Sequence, residues 1–453
     1  MNRARKISTH RQLTASFGLL ILVGTFSLML PPMTHKGISF VDALFTSTSA
    51  VCVTGLAVVD TGTVFTRAGH WVIMGLIQLG GLGIMTFSTV ILLMMGKKLS
   101  VSQYNLAGEV FSHSPMKNIP GLLLSIIAFT VGVEFMGFLV YLVSFAGRAP
   151  FSEAVFQAAF HAVSAFCNAG FSLFPDNLMT YKASIGVNLV TMCLIVIGGL
   201  GFFVLYELWR TYLSPEGRRE RRRLSLHAKL ACFTSAALIF GGAAVLFFLD
   251  YNRALSGLTL GEKVLASLFQ SVSTRTAGFN TVDIAAFSNA SILVMIALMF
   301  IGASPGSTGG GIKTTTFAVF FALIRSYLIG RQEPTAMNRT ITPQTVARAM
   351  AVIVASALVV ATGFMLLMIG ELAFTPVEKS RVYVLPYIFE CVSAFGTVGL
   401  SMNATPKFSS FGKLVLVGLM FVGRLGPLTL ASFVKQSQAK GGYSFSHEKV
   451  MIG

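Results

Sequence analysis

The chain has 453 residues, of which 54% are hydrophobic and only 11% are Asp, Glu, Lys or Arg, against about 25% charged in a soluble domain. With a mean hydropathy of +0.74, this excludes a disordered chain, a nucleic-acid-binding domain and an ordinary cytosolic enzyme, and leaves an integral membrane protein. The net charge of +17 does not mark a polyanion partner, because the basic residues cluster in alternate segments between long apolar runs. Those clusters are Arg3, Arg5, Lys6 and Arg11; Lys97 and Lys98; Arg218 to Arg223; Arg325, Arg331 and Arg339; and Lys435 and Lys440. Lys/Arg bias sets orientation, so both termini are expected in the cytoplasm.

The first apolar run follows a basic start, but Pro31-Pro32-Met33 lacks the small-residue pattern of a cleavage site, so it reads as a retained helix. Apolar runs long enough to span lie near 12–30, 69–96, 119–145, 183–211, 226–250, 287–329, 344–373 and 411–436. A bilayer core needs about 20 helical residues, which gives eight spans in four pairs. Shorter segments near 40–60, 152–176, 261–283 and 381–403 separate the members of each pair.

Those short segments repeat. Each holds Phe-x-x-x-Ser, at Phe45 to Ser49, Phe160 to Ser164, Phe269 to Ser273 and Phe389 to Ser393. A glycine follows that Ser by six, six, five and six residues, at Gly55, Gly170, Gly278 and Gly399. A second glycine site recurs at Gly80, Gly198, Gly302 and Gly423. The expected fold is therefore all-α and membrane-embedded, with four tandem span–pore-helix–span repeats around a central pore. The units are residues 1–100, 101–213, 214–335 and 336–440, with a cytoplasmic tail over 441–453. The clusters Gly80-Gly81-Leu82-Gly83 and Gly198-Gly199-Leu200-Gly201 read as small-residue surfaces that let helices pack closely.

The segments leading into the first glycines end in Val53-Thr54-Gly55, Asn168-Ala169-Gly170, Thr276-Ala277-Gly278 and Thr397-Val398-Gly399. The sole ionisable residue of those stretches, Arg275, would have to point away from the axis. Without acidic or basic rings the lining must be backbone carbonyls, turned inward by glycine at φ > 0. Carbonyl rings replace the hydration shell of a weakly hydrated monovalent cation such as K+. Asp60, Asp176, Asp283 and Asn403 follow the four glycines by four to six residues. They either gather cations at an outer vestibule or cap the next turn.

On these residues the chain resembles the Trk/Ktr/HKT potassium transporters over nearly its whole length, with Gly55, Gly170, Gly278 and Gly399 matching that family's filter glycines. Eight spans without an extra N-terminal pair, and a short tail ending Glu448-Lys449-Val450-Met451-Ile452-Gly453, are most similar to its Ktr branch. The resemblance implies potassium uptake across a bacterial inner membrane and a homodimer with one pore per protomer. It also implies a cytosolic ring of KtrA-type RCK subunits that bind the nucleotide, and dependence on sodium, for which no site is identifiable. No covalent cofactor is expected.

The sixth apolar run is 43 residues long, about 65 Å if wholly helical. It is interrupted by Gly302-Ala303-Ser304-Pro305-Gly306-Ser307-Thr308-Gly309-Gly310-Gly311-Ile312-Lys313-Thr314, which cannot stay helical. The near-match of Gly306, Gly311, Lys313 and Thr314 to a phosphate-binding loop fails, because Ile312 displaces the lysine and the flanks are apolar spans. By resemblance this stretch is an intramembrane gate below the filter, and Arg424 is the arginine that faces it. Arg424 could alternatively pair with Glu134 or Glu207, and Lys313 is expected to snorkel towards the cytoplasm rather than line the pore. The Arg218–Arg223 run suits anionic lipid or an acidic partner surface. The rival reading is a secondary cation symporter of another fold, whose repeats should be few, large and often inverted. An enzyme is disfavoured, since His113, His161, Glu134 and Glu207 form no catalytic or metal-ligand spacing.

Overall fold

The computed structural model describes residues 9–83, 119–213, 223–331, 333–373 and 376–426. Lys97 and Lys98, the Arg218–Arg222 stretch, the chain beyond Gly426 and the 441–453 tail lie outside them. The described chain is mostly helical. Helices α1 (Thr9–Leu28), α2 (Phe40–Val51) and α3 (Arg67–Leu82) form the first unit, and α4 (Ile119–Phe145), α5 (Phe151–Phe166), α6 (Ile185–Leu200) and α7 (Phe202–Leu208) the second. The third holds α8 (Leu226–Asp250), α9 (Leu260–Ser273), α10 (Asn289–Phe300) and α11 (Thr314–Leu328). The fourth holds α12 (Pro343–Leu372), α13 (Val377–Gly396) and α14 (Ser410–Leu425). A two-residue β-ladder, Thr335–Ala336 with Arg339–Thr340, joins the last two units.

Local sequence sets the entry to each short helix. Ser39 caps α2 by accepting the Asp42 N–H, and Thr259 and Glu262 form a reciprocal capping box on α9. Pro150 and Pro376 stand immediately before α5 and α13, where a proline loses no helical donor. Among the described residues, Leu124–Phe145, Leu226–Asp250 and Pro343–Leu372 are each long and apolar enough to cross a membrane, and Ile185–Leu200 with Phe202–Tyr212 qualifies as one bent span.

The packing is cyclic. Within each unit the first helix lies on the short one: α1 on α2, α4 on α5, α8 on α9 and α12 on α13. Between units, α3 packs on α5, α6 on α9, α10 on α13, and α14 returns to α2. The fourth unit thereby closes on the first. The motif phenylalanines Phe45, Phe160, Phe269 and Phe389 are all fully buried in the core that results.

One expectation needs correcting. The sequence reading interrupted only the sixth run, but three other second helices also end midway. Helices α3, α6 and α14 stop before Gly83, Gly201 and Gly426, whose φ values are 82°, 87° and 85°. At Gly201 the chain bends by 99° into α7. Each of these glycines lies three residues after Gly80, Gly198 or Gly423. These three second helices thus end at matching positions, whereas in the third unit α10 ends earlier, at Phe300, and the loop follows.

Candidate functional site

The four glycine segments meet. In every unit the N–H of the residue before the glycine is held by the motif serine carbonyl: Thr54 to Ser49 at 2.8 Å, Ala169 to Ser164 at 2.7 Å, Ala277 to Ser273 at 3.0 Å and Val398 to Ser393 at 2.8 Å. The third unit, one residue shorter, makes the same bond by reaching back four residues instead of five, so its register is kept. Serine hydroxyls add a second hold, Ser49 to the Leu56 carbonyl at 2.8 Å and Ser164 to that of Phe171 at 2.7 Å, with Ser273 bonding Phe279 likewise. Ser393 accepts the Gly399 N–H at 3.1 Å.

The backbone conformation repeats as well. Val53, Asn168, Thr276 and Thr397 have φ of 59°, 61°, 73° and 50°, and the glycines two residues on have φ of 93°, 68°, 77° and 90°. A left-handed β-branched residue is strained by about 1–3 kcal/mol and persists only where its surroundings over-determine it. Here Val53, Thr54, Asn168, Ala169, Thr276, Ala277, Thr397 and Val398 are all fully buried, so their side chains are committed to the surrounding protein.

The glycines form a closed ring. A Cβ on Gly55 would run into the Ala169 carbonyl oxygen, one on Gly170 would lie 2.7 Å from that of Ala277, and one on Gly278 would lie 2.5 Å from that of Val398. One on Gly399 would meet the Thr54 carbonyl oxygen, which returns the circuit to the first unit. Each wall is backbone of the next unit, so nothing can swing aside.

On one side of the ring a cavity of about 510 Å³ opens, lined by all four glycines together with Asp60, Asp176, Asp283 and Asn403. The acids also cap turns. Asp60 accepts the Gly62 and Thr63 N–H groups, Asp176 the Thr180 N–H, and Asp283 the Ala285 N–H. In each, a single carboxylate oxygen makes the cap.

Under the ring lies the loop from Gly302 to Lys313. It is closed at its base by the Gly302 N–H on the Ile312 carbonyl at 2.8 Å and by Ser304 with Thr314, hydroxyl to hydroxyl, at 2.9 Å. A helix that stops inside a membrane leaves carbonyls that water cannot reach. The loop answers that need: Ser304 and Thr308 donate their N–H groups to Gly199 and Gly198 at the end of α6, at 3.0 and 3.2 Å. In return Gly306 accepts the Phe202 N–H that opens α7, at 3.1 Å, and a Cβ on Gly201 would lie 2.5 Å from the Pro305 carbonyl oxygen. Ser307 donates to the Ser304 carbonyl at 2.6 Å. The glycine run presses on the ring: a Cβ on Gly309 would strike Thr276, and the Gly310 N–H donates to the Thr397 hydroxyl at 2.9 Å. Gly311, at φ 68°, packs on Gly302 and Gly396.

Arg424 clasps this assembly. Its guanidinium donates to the Thr308 carbonyl of the loop and to the Gly80 carbonyl, with Gly81 at 3.5 Å. A cation suits the C-terminal end of α3, where unpaired carbonyls concentrate partial negative charge. The alternative ion pairs do not form: Glu134 accepts from Gln78, and Glu207 accepts from Ser225. Lys313 also departs from expectation. Its amine turns back to the Gly309 carbonyl at 2.7 Å instead of snorkelling, because the loop offers a nearer acceptor. Arg275 reaches the carbonyls of Ser235 at 3.2 Å and Gly302 at 3.4 Å, behind the ring.

Sequence reasoning overlooked Gly83, Gly201 and Gly426 and the hydroxyls of Thr276 and Thr397 as loop contacts. The recurrence of glycine three residues after each second-site glycine was the signal available for the breaks. The loop contacts had none, as they join distant units.

Interrupted helices closed into a ring around strained backbone are the architecture of a membrane cation transporter, as comparison with known proteins shows. Among the described residues no cluster of His, Cys, Asp or Glu could hold a metal ion. The family model described as TrkH, cation transport protein, matches residues 5–440, and the chain belongs to that family. The Ktr system potassium uptake protein B of Bacillus subtilis is 41% identical across 95% of this chain and 94% of its own length. The potassium/sodium uptake protein NtpJ of Enterococcus hirae is 35% identical across 99% and 98%. The crystal structure of the potassium transporter TrkH from Vibrio parahaemolyticus shares the fold, with a TM-score of 0.74 at 19% identity over 96% of this chain and 87% of that one.

Proposed function

We propose that this chain is the membrane subunit of a Ktr-type potassium uptake system, carrying K+ through a filter formed by the residues ending at Gly55, Gly170, Gly278 and Gly399. The observation that carries the reading is the closed ring, in which each glycine abuts the peptide carbonyl preceding the next. With every adjacent side chain buried, peptide oxygens are what an ion would meet, and these suit a weakly hydrated alkali cation. Asp60, Asp176 and Asp283, with Asn403, concentrate cations at the outer mouth. The loop over Gly302, Ser304, Pro305, Gly306, Ser307, Thr308, Gly309, Gly310, Gly311 and Lys313, clasped by Arg424, is the gate. The membrane potential drives entry, worth about 2.3 kcal/mol per charge per 100 mV.

The same reading divides the chain at 100, 213, 335 and 440, places it in a bacterial inner membrane with both termini cytoplasmic, and pairs it as a homodimer. A cytosolic RCK ring carries the regulatory nucleotide, and the Arg218–Arg223 run meets anionic lipid. Both the Ktr name of the Bacillus relative and the sodium in the name of the Enterococcus relative favour this assignment, the latter pointing to sodium as activator or co-transported ion. Tracer flux of K+ and Na+ into proteoliposomes, with and without an RCK subunit, is the test. Saturable uptake that prefers K+ is expected. Flux indifferent to the cation overturns the reading.

A further inference from the structure

The residue after each motif phenylalanine is buried: Thr46, His161, Gln270 and Glu390. Two of these four reach the chain just beyond their filter glycine. In the fourth unit the Glu390 carboxyl accepts the Ser401 hydroxyl at 2.6 Å, the Met402 N–H at 3.0 Å and the Thr405 hydroxyl at 2.6 Å. In the second unit His161 Nδ1 faces the Gln157 carbonyl at 2.7 Å. A carbonyl only accepts, so Nδ1 carries the proton and Nε2 is left to accept the Ser172 hydroxyl at 3.0 Å, which also has the Asn177 carbonyl within reach at 3.2 Å. Phe174 stacks on the imidazole at 4.7 Å between ring centres, which fixes its plane. Ser172 and Ser401 are equivalent, each two residues past its glycine.

The other two units lack this brace. Thr46 spends its hydroxyl on the Asp42 carbonyl of its own helix, and the residue two past Gly55 is Ala57. Gln270 leaves its amide oxygen unpartnered and directs its nitrogen at Met295. Since the ring runs through the units in order, the braced strands stand opposite each other.

We propose that His161 and Glu390 are positioning residues that hold the outer ends of the second and fourth filter strands from their own short helices, so that selectivity rests on two strands braced in this way facing two that are not. The third is instead tied sideways, Asn177 donating to the Gly278 carbonyl at 3.4 Å. This rests on the filter reading above. Neither residue touches the ion. Each fixes the backbone that does, because its loss releases the hydrogen bonds that hold Ser172, or Ser401 and Met402, in place, and the strand is then free to shift.

The test is tracer uptake at graded K+ with competing Na+, normalised to protein in the membrane, for Glu390→Ala, Glu390→Gln, His161→Ala and Thr46→Val beside Gly399→Ser. Glu390→Ala and His161→Ala are expected to raise the half-saturating K+ concentration about tenfold and to admit Na+ competition, as loss of the hydrogen bonds behind a shaped site implies. Glu390→Gln, which keeps an acceptor for Ser401 and Met402, should stay within about twofold, and Thr46→Val should match the parent. If both alanine variants keep parental half-saturation and Na+ exclusion while Gly399→Ser loses them, the braces are refuted and the filter stands. If Gly399→Ser also behaves as the parent, the filter reading itself falls, and the braces with it. Should Glu390→Ala fail to reach the membrane, Ser401→Ala combined with Thr405→Val cuts the same brace from the other end and is judged by the same two results.

Discussion

The glycine ring and the loop beneath it are both non-helical backbone within a membrane protein, and both depend on glycine, yet for different reasons. At the ring, the space beside each glycine is closed by a peptide carbonyl of the neighbouring unit. In the loop the walls are mixed: Gly306 faces the Phe203 ring and Gly309 and Gly310 the Thr276 and Thr397 side chains, while Gly302 and Gly311 pack on backbone of the loop and of Gly396, and hydrogen bonds to helix ends hold the segment in place. Walls of backbone cannot yield without moving a whole unit. Side-chain walls and exchangeable hydrogen bonds can. The first arrangement suits a site that must keep its shape, the second a segment that moves aside.

The largest effect should come from breaking the ring. Gly399→Ser is expected to weaken apparent K+ affinity about 5- to 150-fold, because a strained or displaced backbone position costs ~1–3 kcal/mol, and half-saturation of tracer uptake reads it. Next is the clasp. Arg424→Ala, or shortening of 302–314, should raise maximal flux about fivefold with affinity little changed, since the lost hydrogen bonds hold the loop and not the ring. Equal flux in parent and variant would remove the loop from the conduction path. Thr397→Val sharpens the contrast within a single residue, whose backbone belongs to the ring and whose hydroxyl holds Gly310. Losing one hydrogen bond that the freed group replaces in part costs ~0.5 kcal/mol, the low end of the usual range, so flux should rise about two- to threefold at constant affinity. A fall in affinity instead would tie the hydroxyl to the ring. Smallest is Arg67→Ala, which removes a pair with Glu153 whose side chains are 52% and 42% exposed. A melting measurement in detergent should register less than ~1 kcal/mol, as for other exposed ion pairs.

Much of this arrangement was legible from spacing. The Phe-x-x-x-Ser motif and its glycine recur because each unit must end a short helix, hold the departing strand with the serine carbonyl, and turn left-handed at the same point. Those are local demands, met within some ten residues. The interruption of the sixth run was equally plain, since Pro305 among glycines has no helical outcome. The breaks at Gly83 and Gly201 passed as packing surfaces, and that at Gly426 went unread, because a glycine in an apolar run serves either purpose and only the neighbouring chain distinguishes them. Lys313 was misplaced for a related reason: snorkelling is the default for an isolated lysine, whereas the folded loop brings the Gly309 carbonyl within reach.

From the sequence alone came the membrane class, the four units and the four glycines, because composition and short-range backbone geometry impose them. The tertiary structure alone decided which carbonyl closes over each glycine, which helix ends the loop satisfies, and that Arg424 grips Gly80, 344 residues away in sequence. Those partners are chosen by closure of the ring, which brings the first and last units together, and no local pattern records that contact.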